Sequence, residues 1–261
     1  MMDKELIKSL GDELYGALVD RSTLTPLTER YPDISIEDAY HISLQILERR
    51  LAAGEKMIGK KIGVTSKAVQ NMLNVHQPDF GFLTDKMIYS GEMPISKELI
   101  QPKAEGEIAF VLKRDLIGPG VTIAQVLAAT ETVMPCFEVV DSRIENWRIK
   151  IQDTVADNAS CGLFVVNENA ATRPQDVDLV TCGMVVTKNG KTISTGAGAA
   201  ALGSPVNCVA WLANTLGQFG IPLKAGEIIL SGSLVPLEPV QAGDHMSVRI
   251  GGIGDCSVQF T

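Results

Sequence analysis

The sequence predicts an α+β fold in which helices come first and a mixed, mainly antiparallel sheet follows. Apolar residues recur at helical spacing through the first third of the chain, and short β-branched runs separated by glycine begin near residue 104. The two patterns do not alternate along the chain, which argues against a doubly wound parallel sheet. We expect a helical region over residues 1–60 and one continuous core over residues 61–261.

Two long helices are predicted before the core. Apolar residues recur every three or four positions over residues 7–18 and again over residues 36–51. The second helix begins with Ser35 and Asp38 in the arrangement of a capping box and ends at Gly54. A short helix is also expected after Ser66.

The rest of the chain is predicted to be strands, with one helix among them. Asn189-Gly190 indicates a two-residue hairpin turn. Ser204 caps the helix, Pro205 takes its first position, and residues 206–219 fill it. The predicted strands lie in "GEIAFVL", "PCFEVV", "CGLFVV", "DLVTCGMVV", "EIILSG" and the tail "HMSVRIGGIGDCSVQF".

Composition excludes several classes of function. The net charge of −8, without a Lys/Arg cluster, argues against nucleic acids and anionic membrane surfaces as partners. The chain contains no run of about 18 apolar residues, and its start, "MMDKELIKSLGDEL", lacks the apolar segment of a secretory signal. The five cysteines are scattered without a C-x-x-C pair, which is typical of reduced thiols. We expect a soluble, cytoplasmic globular protein.

Glu105 and Glu107 in "KAEGEIAFVL" are the first candidate functional residues. Alternate side chains of a strand share a face, so both carboxylates would lie side by side at the edge of the core, where they repel each other and lose hydration. Glu138 in "MPCFEVVDSR" is a third carboxylate within an apolar strand. Three converging carboxylates would bind a hard divalent cation, which neutralises their repulsion and polarises an oxyanion-forming substrate.

Other interpretations stay open on the pattern alone. An E-x-E pair also occurs on solvated strand edges, and Glu138 could pair with Arg143. Lys61 in "GKKIGVTS" could form a solvated basic pair with Lys60, and Asp79 in "HQPDFGFL" could be a turn residue. Each histidine is isolated, which gives a histidine-based metal site little support. No motif of a serine hydrolase, dinucleotide-binding protein or P-loop protein is present.

Seven ordered segments resemble the fumarylacetoacetate hydrolase superfamily, in its hydratase and decarboxylase branch. The resemblance extends over nearly the whole chain and implies a β-roll core of that superfamily. It also implies that Glu105, Glu107 and Glu138 bind Mg²⁺ or Mn²⁺. The segments are "GKKIGVTS", "QPDFGFL", "QPKAEGEIAFVL", "PCFEVVDSR", "DTVADNASCG", "GAGAAALGSPVNCVAWLAN" and "GEIILSGSLVPLEPVQAGD".

The resemblance further implies an activity, namely hydration of 2-hydroxypenta-2,4-dienoate (2-oxopent-4-enoate) to 4-hydroxy-2-oxopentanoate in meta-cleavage degradation of aromatic compounds. Lys61 would stabilise the enolate or shuttle protons, and Asp79 would orient or deprotonate the water. Ser160 in "DNAS" would bind the substrate carboxylate.

Two alternatives accompany this hydratase prediction. A 4-oxalocrotonate decarboxylase shares the scaffold, but the aspartate of "QPDFG" and the segment "SGSLVPLEPV" favour the hydratase. A mainly non-catalytic partner subunit of that decarboxylase is the other, and the intact set of candidate residues argues against it. The resemblance also implies a homo-oligomer and a complex with the decarboxylase.

Overall fold

The computed structural model describes residues 2–72 and 74–261. Its helices confirm the helical start of the chain and add short segments between strands. They are α1 (Lys4–Asp20), α2 (Leu27–Arg30), α3 (Ile36–Ala52), α4 (Lys67–Met72), α5 (Ile95–Glu98), α6 (Ile123–Ala129), α7 (Ile151–Ala156) and α8 (Pro205–Gly217).

The strands belong to two sheets. They are β1 (Met57–Gly63), β2 (Asp79–Thr84), β3 (Ile88–Tyr89), β4 (Glu92–Met93), β5 (Lys103–Leu112), β6 (Thr130–Val140), β7 (Leu163–Val166), β8 (Gly183–Lys188), β9 (Lys191–Ala197), β10 (Ile228–Leu230), β11 (Glu238–Pro239), β12 (His245–Ile250) and β13 (Gly254–Phe260).

The larger sheet has eight strands, in the order β2-β1-β10-β5-β6-β7-β3, with β11 paired to the start of β5. The smaller sheet has five strands, in the order β4-β13-β12-β8-β9. Only the pairs β1–β10, β3–β7 and β4–β13 are parallel among the described strands. The predicted α+β class with a mixed, mainly antiparallel core is therefore confirmed.

Local signals account for the helix boundaries. The Ser35 hydroxyl accepts the Asp38 N–H at 3.0 Å and the Asp38 carboxylate accepts the Ser35 N–H at 3.2 Å, which confirms the capping box of α3. The buried face of α1 contains Leu10 and Leu14 and packs against α3. No helix among residues 2–72 and 74–261 has the length and apolar character needed to cross a bilayer.

The hairpin prediction is confirmed. The predicted onset of strands near residue 104 is wrong, because β1 to β4 precede it, and the predicted limits of one helix and one later strand also differ. Asn189 and Gly190 have φ of 52° and 77° and join β8 to β9. Helix α8 ends at Gly217 rather than at the predicted residue 219. The residues after Gly217 form hydrogen bonds to carbonyls three residues back, such as the Phe219 N–H to the Leu216 carbonyl, instead of the four-residue spacing of an α-helix. The strand predicted in "DLVTCGMVV" begins only at Gly183. Residues 178–182 before it form a turn because the Asp178 side chain accepts backbone N–H groups. The division of the chain at residue 60 stays a prediction.

Candidate active site

Antiparallel pairing of β5 with β6 brings the three candidate carboxylates together. Glu105 lies directly opposite Glu138 in the register, and Glu107 follows two positions later on the same face of β5. One oxygen atom from each of the three carboxylates lies within 4.8 Å of the other two. The arrangement is an all-oxygen cluster at the centre of the larger sheet.

Three of the buried oxygens in this cluster lack a hydrogen-bond donor among the described residues. Glu107 and Glu138 are 0 % and 1 % exposed, whereas Glu105 is partly exposed. The Gly232 N–H donates to Glu107 Oε2 at 2.8 Å. Among the described residues, Glu107 Oε1 and both Glu138 oxygens accept no hydrogen bond. Buried carboxylate oxygens without donors are costly, so the cluster suits a bound cation.

Burial, together with repulsion between the carboxylates, raises the pKa values of these carboxyl groups when no cation compensates them. Burial, with the charge of Glu138 adding to it, raises the pKa of Glu105 to about 8. Burial raises the pKa of Glu107 well above its usual range, and the charges of Glu138 and Glu105 raise it further. A hard divalent cation fits this site, since it prefers oxygen ligands and supplies the missing positive charge.

Lys61 supplies one positive charge beside the cluster. It lies in β1 between β2 and β10, is 2 % exposed, and its Nζ is 3.3 Å from Glu138 Oε1. Burial favours the neutral amine, but the charge of Glu138, together with weaker contributions that include Asp79, raises the pKa of Lys61 above its ordinary value. Lys61 is therefore an ammonium at neutral pH.

Lys60 points to the other face of the sheet, as alternation along a strand requires. It is 0 % exposed, and its Nζ donates to both carboxylate oxygens of Glu227 at 2.6 Å. The interpretation of Lys60 and Lys61 as a solvated pair is therefore wrong for both residues. Arg143 does not pair with Glu138 either, because its guanidinium binds the Asp157 carboxylate.

Asp79 is the first residue of β2 and is 2 % exposed, so its interpretation as a turn residue is wrong. Its Oδ1 accepts no hydrogen bond among the described residues. A Cβ atom on Gly63 would overlap this oxygen, which explains the glycine at that position. Burial raises the pKa of Asp79, and the charge of Lys61 opposes this shift.

Ser160 lies in a strained segment that the sequence did not reveal. Asn158, Ala159 and Ser160 have φ of 53°, 52° and 53°, a conformation that non-glycine residues rarely adopt. The Asn158 side chain accepts the Phe82 N–H and donates to the Phe82 carbonyl, which ties the segment to β2. The Ser160 hydroxyl lies 3.1 Å from the Thr154 hydroxyl.

The Arg143 side chain holds the other end of this segment. It donates to the Asp157 carbonyl at 2.7 Å and to the Cys161 carbonyl at 3.0 Å, in addition to its pairing with the Asp157 carboxylate. These bonds fix the backbone on either side of Ser160. The sequence identified Ser160 through the "DNAS" segment, but it did not reveal the role of the buried Arg143, which follows the end of β6.

A cavity of about 380 Å³ connects these residues. Lys61, Asp79, Glu105 and Ser160 all line it. The remaining wall is largely apolar, with the side chains of Val64, Val69, Val140, Ile149 and Leu237. The cavity thus has the form of a small-molecule site, in which a few polar groups converge within apolar walls.

Lys103 and Trp147 also line the cavity and were missed from the sequence. Lys103 Nζ lies 4.2 Å from the centroid of the Trp147 ring. Lys103 precedes Glu105 by two positions in β5, so the strand alternation that associates Glu105 with Glu107 could have identified it.

Comparison with known proteins identifies the family. Residues 60–261 match the family model described as the C-terminal region of fumarylacetoacetate (FAA) hydrolase. The chain belongs to the fumarylacetoacetate hydrolase family. The chain is 78 % identical over 222 residues to a 2-hydroxypent-2,4-dienoate hydratase of Pseudomonas putida, covering 84 % of this chain and all of the relative.

Other family members extend this comparison to the full chain. A 2-hydroxyhexa-2,4-dienoate hydratase of Comamonas testosteroni is 61 % identical over 264 residues, covering all of both chains. The solved 4-oxalocrotonate decarboxylase of Pseudomonas putida G7, complexed with magnesium and adipate, superposes with a TM-score of 0.96 at 37 % identity. That superposition covers 100 % of this chain and 99 % of the decarboxylase.

Proposed function

We propose that this protein is a divalent-metal-dependent hydratase that converts 2-hydroxypenta-2,4-dienoate, the enol of 2-oxopent-4-enoate, into 4-hydroxy-2-oxopentanoate. The observation that carries the proposal is the cluster of three carboxylates beside a cavity that is lined by one of them, Glu105, and by the buried groups of Lys61 and Asp79. The relatives at 78 % and 61 % identity are hydratases of 2-hydroxydienoates, which supports the substrate class. The reaction belongs to the degradation of aromatic compounds by meta-cleavage.

The proposed metal ligands are Glu105, Glu107 and Glu138, and the metal is Mg²⁺ or Mn²⁺. The buried oxygens without donors and the raised pKa values of these groups support the assignment. The related decarboxylase structure contains magnesium, which is consistent with it. When bound, the metal supplies Lewis acidity that stabilises negative charge on the oxygen at C2 of the substrate.

Lys61 is proposed to act at the same C2 oxygen. Its ammonium stabilises the negative charge on this oxygen twice, once before C5 is protonated and again after water has added at C4. The C2 hydroxyl loses its proton as C5 gains one, which gives the conjugated 2-oxo-3-enoate with an electrophilic C4. After water adds at C4, the enolate is protonated at C3.

Asp79 is proposed to hold the water and to take its proton as the oxygen bonds to C4. Burial raises the pKa of Asp79, which makes its carboxylate a stronger base than an exposed one. The Oδ1 atom of Asp79 can accept this proton, because no donor among the described residues forms a hydrogen bond to it. The largely apolar walls of the cavity offer few hydrogen bonds to competing water.

Ser160 is proposed to bind the substrate carboxylate through its hydroxyl. The bonds from Arg143 to the Asp157 carbonyl and between the Asn158 side chain and the Phe82 backbone would fix its direction. A residue held in a sparsely populated conformation by several buried hydrogen bonds is typical of functional sites.

The alternative function is decarboxylation of 4-oxalocrotonate, favoured by the superposition on the solved decarboxylase. Both reactions use an enolate at C2, so the scaffold and metal serve either one. The higher identity to hydratases favours hydration. We further propose that the protein is cytoplasmic, forms homo-oligomers and associates with a decarboxylase of this family.

The test is turnover by the purified chain with each substrate offered separately in Mg²⁺ and in Mn²⁺. Loss of the dienol absorbance and the NMR spectrum of the product report hydration, and CO₂ release reports decarboxylation. We expect 4-hydroxy-2-oxopentanoate from the dienol. Release of CO₂ from 4-oxalocrotonate without hydration of the dienol would assign the alternative function, and no turnover of either would favour a non-catalytic subunit.

A further inference from the structure

The cavity carries an uneven distribution of charge. The carboxylates of Glu105 and Asp79 line it, and those of Glu107 and Glu138 lie directly behind Glu105 in the cluster. The positive charge of Lys61 is already paired with Glu138. Even with a divalent cation bound, these groups leave an excess of negative charge. An anionic substrate would be repelled unless another positive charge faced it, since Coulomb interactions are strong inside a protein.

Lys103 is the positive charge that is free to meet the substrate. Its side chain lines the cavity on the same face of β5 as Glu105, and among the described residues no carboxylate forms an ion pair with it. The ammonium lies over the Trp147 ring instead, 4.2 Å from the ring centroid. An aromatic face holds a cation in place without neutralising its charge.

The position of the Trp147 ring is fixed before any substrate binds. The indole Nε1–H donates to the Gln101 carbonyl at 3.0 Å, two residues before Lys103 in the chain. Asn146 and Trp147 both have positive φ, 55° and 54°, a conformation that asparagine tolerates but that is strained for tryptophan. The backbone conformation of Trp147 and the hydrogen bond from its indole therefore hold the ring beside Lys103.

We propose that Lys103, held by Trp147, is a specificity-determining residue that binds the C1 carboxylate of the substrate. The inference rests on the proposed function, whose dienoate substrate has that carboxylate as its one anionic group. Ser160 offers the carboxylate a neutral hydroxyl, whereas Lys103 offers it the compensating charge. The side chain of Lys103 moves from the ring to the carboxylate when substrate binds.

Steady-state kinetics provide the first test. We expect Lys103→Met to raise KM for the dienol about 10- to 100-fold, the effect of losing one charge-assisted hydrogen bond, with kcat changed less than about threefold. Lys103→Arg should recover most of the affinity. Lys113→Met is the matched control, because Lys113 is an exposed lysine immediately after the same strand. An unchanged KM in Lys103→Met, in a wild-type protein that hydrates the dienol, would overturn the inference.

Binding can be measured without turnover because the chain has two tryptophans. Trp211 lies in α8 and lines a different groove, so Trp211→Phe leaves Trp147 as the reporter at the cavity. In metal-loaded protein, 2-oxopentanoate, a saturated analogue of the substrate, should change the fluorescence of Trp147. Adding Lys103→Met should shift the half-saturation concentration upward about 10- to 100-fold.

Two further ligands make this titration specific for the charge. The neutral methyl ester of 2-oxopentanoate should have the same half-saturation concentration in the protein with Lys103→Met as in the protein without it. The dicarboxylate 2-oxohexanedioate should lose affinity by the same factor as 2-oxopentanoate. A loss confined to the dicarboxylate would place Lys103 at a distal group and overturn the inference. Because the titration needs no catalysis, it tests Lys103 even if the proposed hydration fails.

Discussion

Replacing Glu107 with glutamine should stabilise the metal-free protein while destroying its response to metal. Glu107 is fully buried, and its Oε1 has no hydrogen-bond donor among the described residues. Glutamine has nearly the same shape, keeps an oxygen for the Gly232 N–H, and gains an amide that can donate to Glu105 or Glu138. The substitution therefore removes a repulsive charge and adds a donor where donors are missing.

The magnitude follows from the geometry of the cluster. The oxygens lie within 4.8 Å of one another, and at that outer limit two unit charges repel by about 3.5 kcal/mol at an effective dielectric constant of about 20. The raised pKa values mean that part of this repulsion is already relieved by bound protons. We expect a gain of about 1–2 kcal/mol at pH 8, which is roughly 2–8 °C in Tm at about 2–4 °C per kcal/mol.

Thermal unfolding in EDTA and in Mg²⁺ measures both effects. Wild-type protein should gain about 2.7 kcal/mol at a metal concentration 100-fold above Kd, whereas Glu107→Gln should gain little. The order of the two Tm values should therefore invert between the two buffers. Glu131→Gln is the control, because Glu131 is an exposed glutamate of the same strand as Glu138. A lower Tm for Glu107→Gln in EDTA, or no metal response in the wild type, would refute the reasoning.

Three further predictions follow from the same site. In EDTA, Tm should fall as the pH rises from about 5 to 8, because the pKa of Glu105 is raised to about 8 and the folded state holds a proton that the unfolded state has released. Mg²⁺ should remove this dependence of Tm on pH. A Tm that does not change with pH in EDTA would contradict the pKa shift. Lys61→Met should lower kcat by about 10²-fold or more with metal binding intact. Lys60→Met should mainly lower stability, by about 3–5 kcal/mol, because it leaves Glu227 without its buried partner, and equal effects of the two substitutions on kcat would reject the assignment. Asp79→Asn should keep the fold and metal affinity and lose water addition, while exchange of solvent deuterium into C3 or C5 partly survives; formation of 4-hydroxy-2-oxopentanoate at the normal rate would exclude Asp79 as the base.

Strand alternation made part of the site visible from the sequence. It predicted that Glu105 and Glu107 share a face, and an apolar context indicated that Glu138 is in a strand. The register that sets Glu105 opposite Glu138 was not predictable, because it depends on how the segment between the strands folds. The roles of these residues came from the resemblance and stay predictions.

Partners distant in sequence account for the wrong interpretations. The two lysines at 60 and 61 resemble a solvated pair until Glu227, 167 positions away, is found beside Lys60. Arg143 has a carboxylate five positions before it and another 14 positions after it, and only the fold selects the Asp157 carboxylate. Local composition carries no information on such choices, because the pairing energy depends on burial and distance.

Titration of metal-free protein with Mn²⁺ tests the central claim most directly. Hydration of 2-hydroxypenta-2,4-dienoate is measured by NMR at each addition, and bound Mn²⁺ is measured by electron paramagnetic resonance. The rate should rise in proportion to bound metal and level off near one ion per chain, and Glu107→Gln should neither bind the ion tightly nor gain activity. Full hydration by protein that holds almost no metal, or tight Mn²⁺ binding that produces no 4-hydroxy-2-oxopentanoate, would contradict the account.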